Sequence, residues 1–161
     1  NLDEADVADP TGAIERAGIS ECLSGAATEA VPVCAKIELE IAELAADDRA
    51  AFLADLGLRD SGLDRVIRAS YHLLGYISFF TTGKDECRAW SVPRGTSAQD
   101  AAGQIHSDIA RGFTRAEVVH YKALTARNGS LAACREHGEV RLEGKDYEVQ
   151  DGDVINFRFA T

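Results

Sequence analysis

At Gly75 the hydrophobic spacing of this chain changes period, and that change constrains the fold more than any other feature of the sequence. Before it, residues recur at the intervals of one helical face: Ile37, Ile41 and Leu44, then Leu63, Val66, Ile67, Ser70, Tyr71 and Leu74. After it, residues 76–81 are dense in aromatic and β-branched side chains, and Arg88, Trp90 and Val92 alternate with Cys87, Ala89 and Ser91 in the manner of a strand. Charge shifts at the same place. Residues 1–74 hold 15 acidic and 6 basic side chains, residues 75–161 hold 12 and 11. The first part should repel nucleic acid, whereas the second is neutral enough to own a local basic patch. Two domains are therefore expected, 1–74 and 75–161.

In the first, residues 1–10 are polar and turn-like, and 13–27 suit a short helix broken near Gly18. Residues 31–35 suggest a brief buried strand, and 36–44 a helix. Asp47 or Asp48 should open a second helix with Ala51, Phe52 and Leu56 inward, closed by Gly57. Ser61 and Asp64 resemble the capping box of a third. In the second domain, a strand at 76–81, a turn at 83–86 and a strand at 87–92 precede a helix. Thr96 or Ser97 caps that helix, which runs to about Arg111. A strand at 115–119 follows, then a helical or irregular stretch to Cys134 around Asn128 and Gly129. Strands at 140–142 and 147–149 flank Gly144, and 154–159 closes the chain. Hairpin, helix, then more strands is the order of a β-grasp, a ubiquitin-like α+β layer pair.

Other classes are disfavoured. The longest mainly apolar stretch, 73–80, is far too short to span a bilayer. No basic-then-apolar leader opens the chain, so export is not expected. Cys22, Cys34, Cys87 and Cys134 form no C-x-x-C pair and fit reduced cytoplasmic thiols. His72, His106, His120 and His137 lack zinc-ligand spacing. An enzyme built on His106 and Asp108 would lack a nucleophile and a metal cluster. His106 is expected to pack or cap locally, and Phe79 and Trp90 to be core. The chain starts at Asn1 and contains no methionine, which suggests a piece of a longer polypeptide.

Several strings, in order, carry a resemblance: 62–68 (GLDRVIR), 79–83 (FFTTG), 88–90 (RAW), 95–96 (GT), 102–108 (AGQIHSD), 112–113 (GF), 115–118 (RAEV), 143–147 (EGKDY) and 150–155 (QDGDVI). Together they resemble the C-terminal region of the YchF-type, Obg-like ATPase family. The resemblance implies that 75–161 is a TGS-type β-grasp domain and that 1–74 is the end of a nucleotide-binding domain.

It also implies site residues. Asn1, Leu2 and Glu4 resemble that family's N-x-x-E base-recognition motif, and Cys34, Ala35 and Lys36 resemble its S-A-K-type loop. The Asp of the commoner N-K-x-D motif accepts hydrogen bonds from the ring N–H and amine of guanine. A Glu offset as here cannot hold that geometry, and the resemblance implies ATP in preference to GTP. Leu2 would lie against the adenine. The phosphate loop is missing. The nearest candidate, Gly138 to Lys145, has five residues between its glycines and Asp146 where Ser or Thr should bind Mg²⁺. It also sits between expected strands with no helix to follow. Phosphoryl transfer depends on positioning phosphates and metal, so this chain alone is expected not to be catalytic and to bind ATP and Mg²⁺ weakly or not at all. The resemblance further implies a cytoplasmic monomer that contacts the ribosome or its RNA, not DNA or membrane. Arg88, Arg94, Arg111, Arg115 and Lys122 are either an RNA-facing patch or ordinary surface cations. The alternative function is an autonomous ubiquitin-like module that binds RNA or protein and has no nucleotide role.

Overall fold

The structure, a computed structural model, describes residues 1–24, 28–83 and 86–160. The chain divides into two compact units, Asn1–Leu74 and Gly75–Thr161.

The first unit is helical. Helix α1 (Pro10–Arg16) starts three residues earlier than the spacing suggests, because Asp9 accepts a hydrogen bond from the Gly12 N–H (3.0 Å) and Pro10 occupies the first helical position. It stops at Arg16. A 3-10 turn, Ser20–Ser24, follows beyond Gly18, and the rest of the expected helix, 25–27, lies outside the described residues. The expected strand at 31–35 does not form. Pro32 has no N–H, and of the ladder a strand would need only one rung is present, from the Leu2 N–H to the Val33 carbonyl (2.7 Å). The chain instead enters α2 (Ala35–Glu43), with Ile37 and Ile41 buried as their spacing requires.

Helix α3 (Ala46–Asp55) is preceded by Ala45, which has no side chain to cap it; Asp47 and Asp48 fall in its first turn, where their charge favours the helix N-terminus. Phe52, Leu53 and Leu56 pack on Cys34, Ile37 and Ile41, while Ala51 is exposed, contrary to its expected inward place. Gly57, at φ 69°, ends the helix as expected. Ser61 caps α4 (Gly62–Leu73), accepting from the Asp64 N–H (3.1 Å) and donating its hydroxyl to the Asp64 carboxylate (2.7 Å). Gly62 is buried and donates to Glu38 (2.7 Å). The apolar stripe of α4 is exposed, with Leu63 at 65% and Leu74 at 71%. Helical spacing there does not mark a buried face.

The second unit is a five-stranded sheet in the order β2-β1-β5-β3-β4. Strand β1 (Tyr76–Thr82) pairs antiparallel with β2 (Cys87–Pro93) and parallel with β5 (Asp153–Phe159). Strand β3 (Phe113–His120) runs antiparallel to both β5 and β4 (Arg141–Glu143). The central parallel pair between the first and last strands, with a helix after the hairpin, is the β-grasp. Residues 84–85 of the expected turn lie outside the described residues.

The core holds Ile77, Phe79, Val92, Val118, Ile155 and Phe157, covered by α5 (Ala98–Ile105) through Ala98, Ala101 and Ala102, none of them exposed. Those small side chains let the helix approach the sheet closely. The expected single helix to Arg111 is in fact two. His106 is extended (φ −162°, ψ 140°), and its Nδ1 accepts from the Asp108 N–H (3.1 Å) to cap α6 (Ser107–Arg111). The helical stretch before Cys134 likewise resolves into α7 (Tyr121–Ala126) and α8 (Leu131–Glu136), parted at Asn128 and Gly129, both with positive φ. Gly138 lies just beyond α8, not between strands. Gly112 also has a spatial role: an added Cβ would run into the Ala160 carbonyl at the end of β5.

The expected strand at 147–149 is a single bridge, Ser97 to Glu148. The segment's backbone is taken by the cap of α5 instead, through Ala98 N–H to Tyr147 O (2.7 Å) and Val149 N–H to Thr96 O (3.0 Å). That route buries Asp153, at 1% exposure, the one charged residue buried so fully among those described. Its carboxylate accepts from the Tyr147 hydroxyl (2.7 Å) and the Gln150 N–H (2.9 Å), with the Arg141 guanidinium 3.5 Å away. Burial first, then the Asp153 bond, pushes the Tyr147 phenol up to about 12. A folded value above the unfolded one of 10.0 means this contribution to stability is complete below pH 10.0 and is lost as pH rises toward about 12. In an ultraviolet titration of the four tyrosines, one should ionise only near that upper limit, together with unfolding. A set titrating uniformly about the ordinary value would contradict the network.

Candidate functional site

The residues singled out for base contact come from two segments far apart in sequence, and the structure brings them together. Asn1 precedes a 3-10 turn, Glu4–Asp6, and the second segment is the N-terminus of α2. Cys34 stands at the cap position but offers no side-chain hydrogen bond, so the first-turn N–H groups need an outside acceptor. Asn1 supplies one: its Oδ1 accepts from the Ala35 N–H (3.0 Å) across 34 positions. With that oxygen engaged, what the Asn1 amide has left to offer is its NH₂ group, a pair of donors. The adjoining Leu2 N–H to Val33 O bond fixes the same approach.

Leu2 is half-buried against Cys34, Ile37 and Ile41, and Cys34 is 6% exposed. Beside them a cavity of ≈ 20 Å³ lies among Leu2, Val7, Pro32, Cys34, Glu38 and Arg65, room for about one water and far too small for a nucleobase. Any base would meet the open side of the segment, where Asn1, Glu4, Ala35 and Lys36 are all exposed. There the Lys36 ammonium forms an ion pair with Glu4 Oε1, and Glu4, by hydrogen bond and then by charge, holds the Lys36 amine above its ordinary value. The sequence names Lys36 and Glu4 as members of separate motifs; their contact has no signature in spacing and follows only from the Asn1–Ala35 closure.

Of the basic residues considered for RNA, Arg88 and Arg115 take opposite faces of the sheet. Arg88 lies over the Trp90 ring (4.3 Å) on the face shared with Val92. Arg115 precedes the inward Ala116 of β3 and so takes the opposite face, beside Arg158. Arg111 pairs with Asp108 (3.2 Å) at the end of α6. On the Arg115 face, Glu117 is flanked by Arg135 (2.9 Å) and Arg158 (3.2 Å), and despite partial burial these guanidinium groups keep its carboxyl below the ordinary range. Phe79 is fully buried. Trp90 is half-buried, its indole N–H donating to Thr81 (3.0 Å), and His106 is a helix cap. Among the described residues no group of three or more His, Cys, Asp or Glu is placed to hold a metal, and no helix is long and apolar enough to cross a membrane.

Comparison with known proteins agrees with the fold. The family YchF-GTPase_C, described as a protein of unknown function (DUF933), matches residues 76–160, more than half of the chain. The ribosome-binding ATPase YchF of Bacillus subtilis (strain 168) is 53% identical over 159 residues, 99% of this chain and 43% of that protein. The protein of the same name from Pasteurella multocida (strain Pm70) is 54% identical over 129 residues, 80% of this chain and 35% of that one. Among solved structures, the Schizosaccharomyces pombe YchF GTPase superposes with a TM-score of 0.78 at 28% identity, covering 98% of this chain and 42% of that chain. A GTP binding protein from Pyrococcus horikoshii OT3 shares the fold, with a TM-score of 0.60 at 20% identity. The chain thus spans less than half the length of these relatives. On the strength of the family match and of these relatives, the chain belongs to the YchF family through its YchF-GTPase_C region.

Proposed function

We propose that this chain is the C-terminal part of a cytoplasmic, ribosome-associated ATPase, and that it divides that work between its two units. Residues 1–74 are the end of the nucleotide-binding domain and supply base contacts from Asn1, Leu2, Glu4, Cys34, Ala35 and Lys36. Residues 75–161 are a TGS domain that docks on the ribosome. In the whole protein, ATP and Mg²⁺ would be gripped by a phosphate loop and switches that these residues do not contain. The observation that carries the proposal is the bond from Asn1 to the Ala35 N–H, which assembles both base motifs on one exposed edge. The names of the bacterial relatives, ribosome-binding ATPases, point the same way, whereas the yeast one is called a GTPase.

Base contacts without phosphate contacts bind weakly, because most of the affinity and all of the transition-state stabilisation come from charge placed around the phosphates. The purified chain, a monomer, is therefore expected to leave ATP intact and to give no heat signal in titration with ATP·Mg²⁺, yet to co-sediment with ribosomes. Micromolar ATP affinity, or turnover, would refute the division of labour. A second reading, an autonomous ubiquitin-like module, is favoured by the self-contained core of the second unit. Ribosome association that falls steeply with salt indicates RNA phosphates as the dock; salt-insensitive capture indicates a protein.

A further inference from the structure

Strands β3 and β5 set two arginines directly against each other on the face of the sheet that α5 does not cover. Ala116 stands opposite Phe157 and both belong to the core, so the flanking pairs, Arg115 with Arg158 and Glu117 with Asn156, take the other face. Like charges directly opposite on neighbouring strands destabilise a sheet. Glu117 offsets one of them: it accepts hydrogen bonds from Nη2 of Arg158 (3.2 Å) and from Nη2 of Arg135 on α8 (2.9 Å). Arg115 has no acidic partner among the described residues. Three guanidinium groups thus share one carboxylate, a local excess of positive charge in a unit of 12 acidic and 11 basic side chains.

Glu117 is only 17% exposed, while Arg135 and Arg158 on either side of it are half exposed. The carboxylate acts as a brace. It fixes two guanidinium forks by one nitrogen each and leaves their Nε and Nη1 hydrogens unspent, a geometry that suits phosphate oxygens. The surface alongside is polar. Asn156 is exposed, and the parallel pairing of Phe80 with Val154 brings Thr82, also exposed, to its level on β1. The apolar side chains at that level, Cys87 and Leu142, stand on the edge strands β2 and β4. A protein partner is gripped by an apolar or aromatic anchor at the centre of its interface, and the centre of this face offers none.

We infer that this face, through Arg115, Arg158 and Arg135, binds the phosphodiester backbone of RNA. The inference rests on the reading of the second unit as a ribosome-docking domain, and it names the surface and the chemistry of that dock. A backbone phosphate beside Arg115 and Arg158 supplies the anion that the like-charged pair lacks, and Asn156 and Thr82 offer hydrogen bonds to the chain next to it. Contacts of this kind position a nucleic acid without reading its sequence.

The test measures the whole chain against two probes, protein-free ribosomal RNA and intact ribosomes, over a range of salt. Wild type should bind both, with affinity falling steeply as salt rises. Arg115→Gln and Arg158→Gln should each weaken binding to both probes by about fivefold and lower the slope of log affinity against log salt by about one. Arg88→Gln, on the other face, should change neither quantity. Because Arg115→Gln relieves the like-charged pair, its urea midpoint should match or exceed that of wild type, which separates lost binding from lost fold. Affinity and slope unchanged in both variants would overturn the inference, as would an equal loss in Arg88→Gln. Binding to ribosomes but not to the free RNA would make a protein the dock, so that the ribosome reading stands and the inference falls. If neither probe binds, both fall.

Discussion

Phe79→Ala is expected to lower the stability of the second unit by about 4 kcal/mol. The ring has no exposed surface and is packed between two neighbouring strands: it stacks with Trp90 of β2 at 6.5 Å and meets Phe157 of β5 edge-on at 6.1 Å. Deleting it removes its transfer free energy and opens a void that neighbours on β1 and β5, pinned by their ladders, cannot collapse to fill. A domain of this size has only about 4–13 kcal/mol in total, so the variant should be largely unfolded at modest urea. Trp90 is the sole tryptophan of the chain, which makes its fluorescence a reporter of this unit. A urea midpoint equal to that of wild type would contradict the packing. Phe79→Leu keeps most of the volume and should cost about 1 kcal/mol.

The second large effect is at Asp153. Asp153→Ala should destabilise the same unit by about 3 kcal/mol, by a different route. No large void opens; instead the Tyr147 hydroxyl and the Gln150 N–H lose their acceptor and Arg141 loses its counter-charge. Asp153→Asn keeps an acceptor oxygen and should cost less, about 1 kcal/mol, the difference reporting the charge alone. Arg141→Ala leaves Asp153 both of its hydrogen-bond donors and removes only a half-exposed cation 3.5 Å away, so it should be the mildest of the three. Urea denaturation of the three variants gives the order. If the Asn and Ala variants were equally unstable, charge and not hydrogen bonding would dominate.

The strands were legible because their side chains alternate and their turns carry glycine; β1, β2, β3 and β5 all lie within two residues of where the spacing puts them. What sequence could not show was competition for backbone partners. Residues 147–149 look like a strand, yet their N–H and C=O groups are taken by 96–98. Residues 31–35 look like one too, but Pro32 and the lack of a neighbouring ladder leave them irregular. His106 splits a helix through its own ring nitrogen, which no periodicity records. At the candidate site the residue types came from motifs, whereas the link between Lys36 and Glu4 is a matter of three-dimensional closure. The exposed stripe of α4 is a reminder that amphipathic spacing says which side is apolar, not whether anything covers it.

The position of β5 bears on how the chain comes into being. Of the five strands of this unit, the one furthest along the chain is the one that stands between β1 and β3. Until it leaves the exit tunnel, the hairpin and its helix have no partner that could join them to the remaining strands, and their apolar faces stay wet. The second unit must then fold in one non-local step once β5 is available, and a chain cut before Asp153 would leave nothing to hold the two halves together.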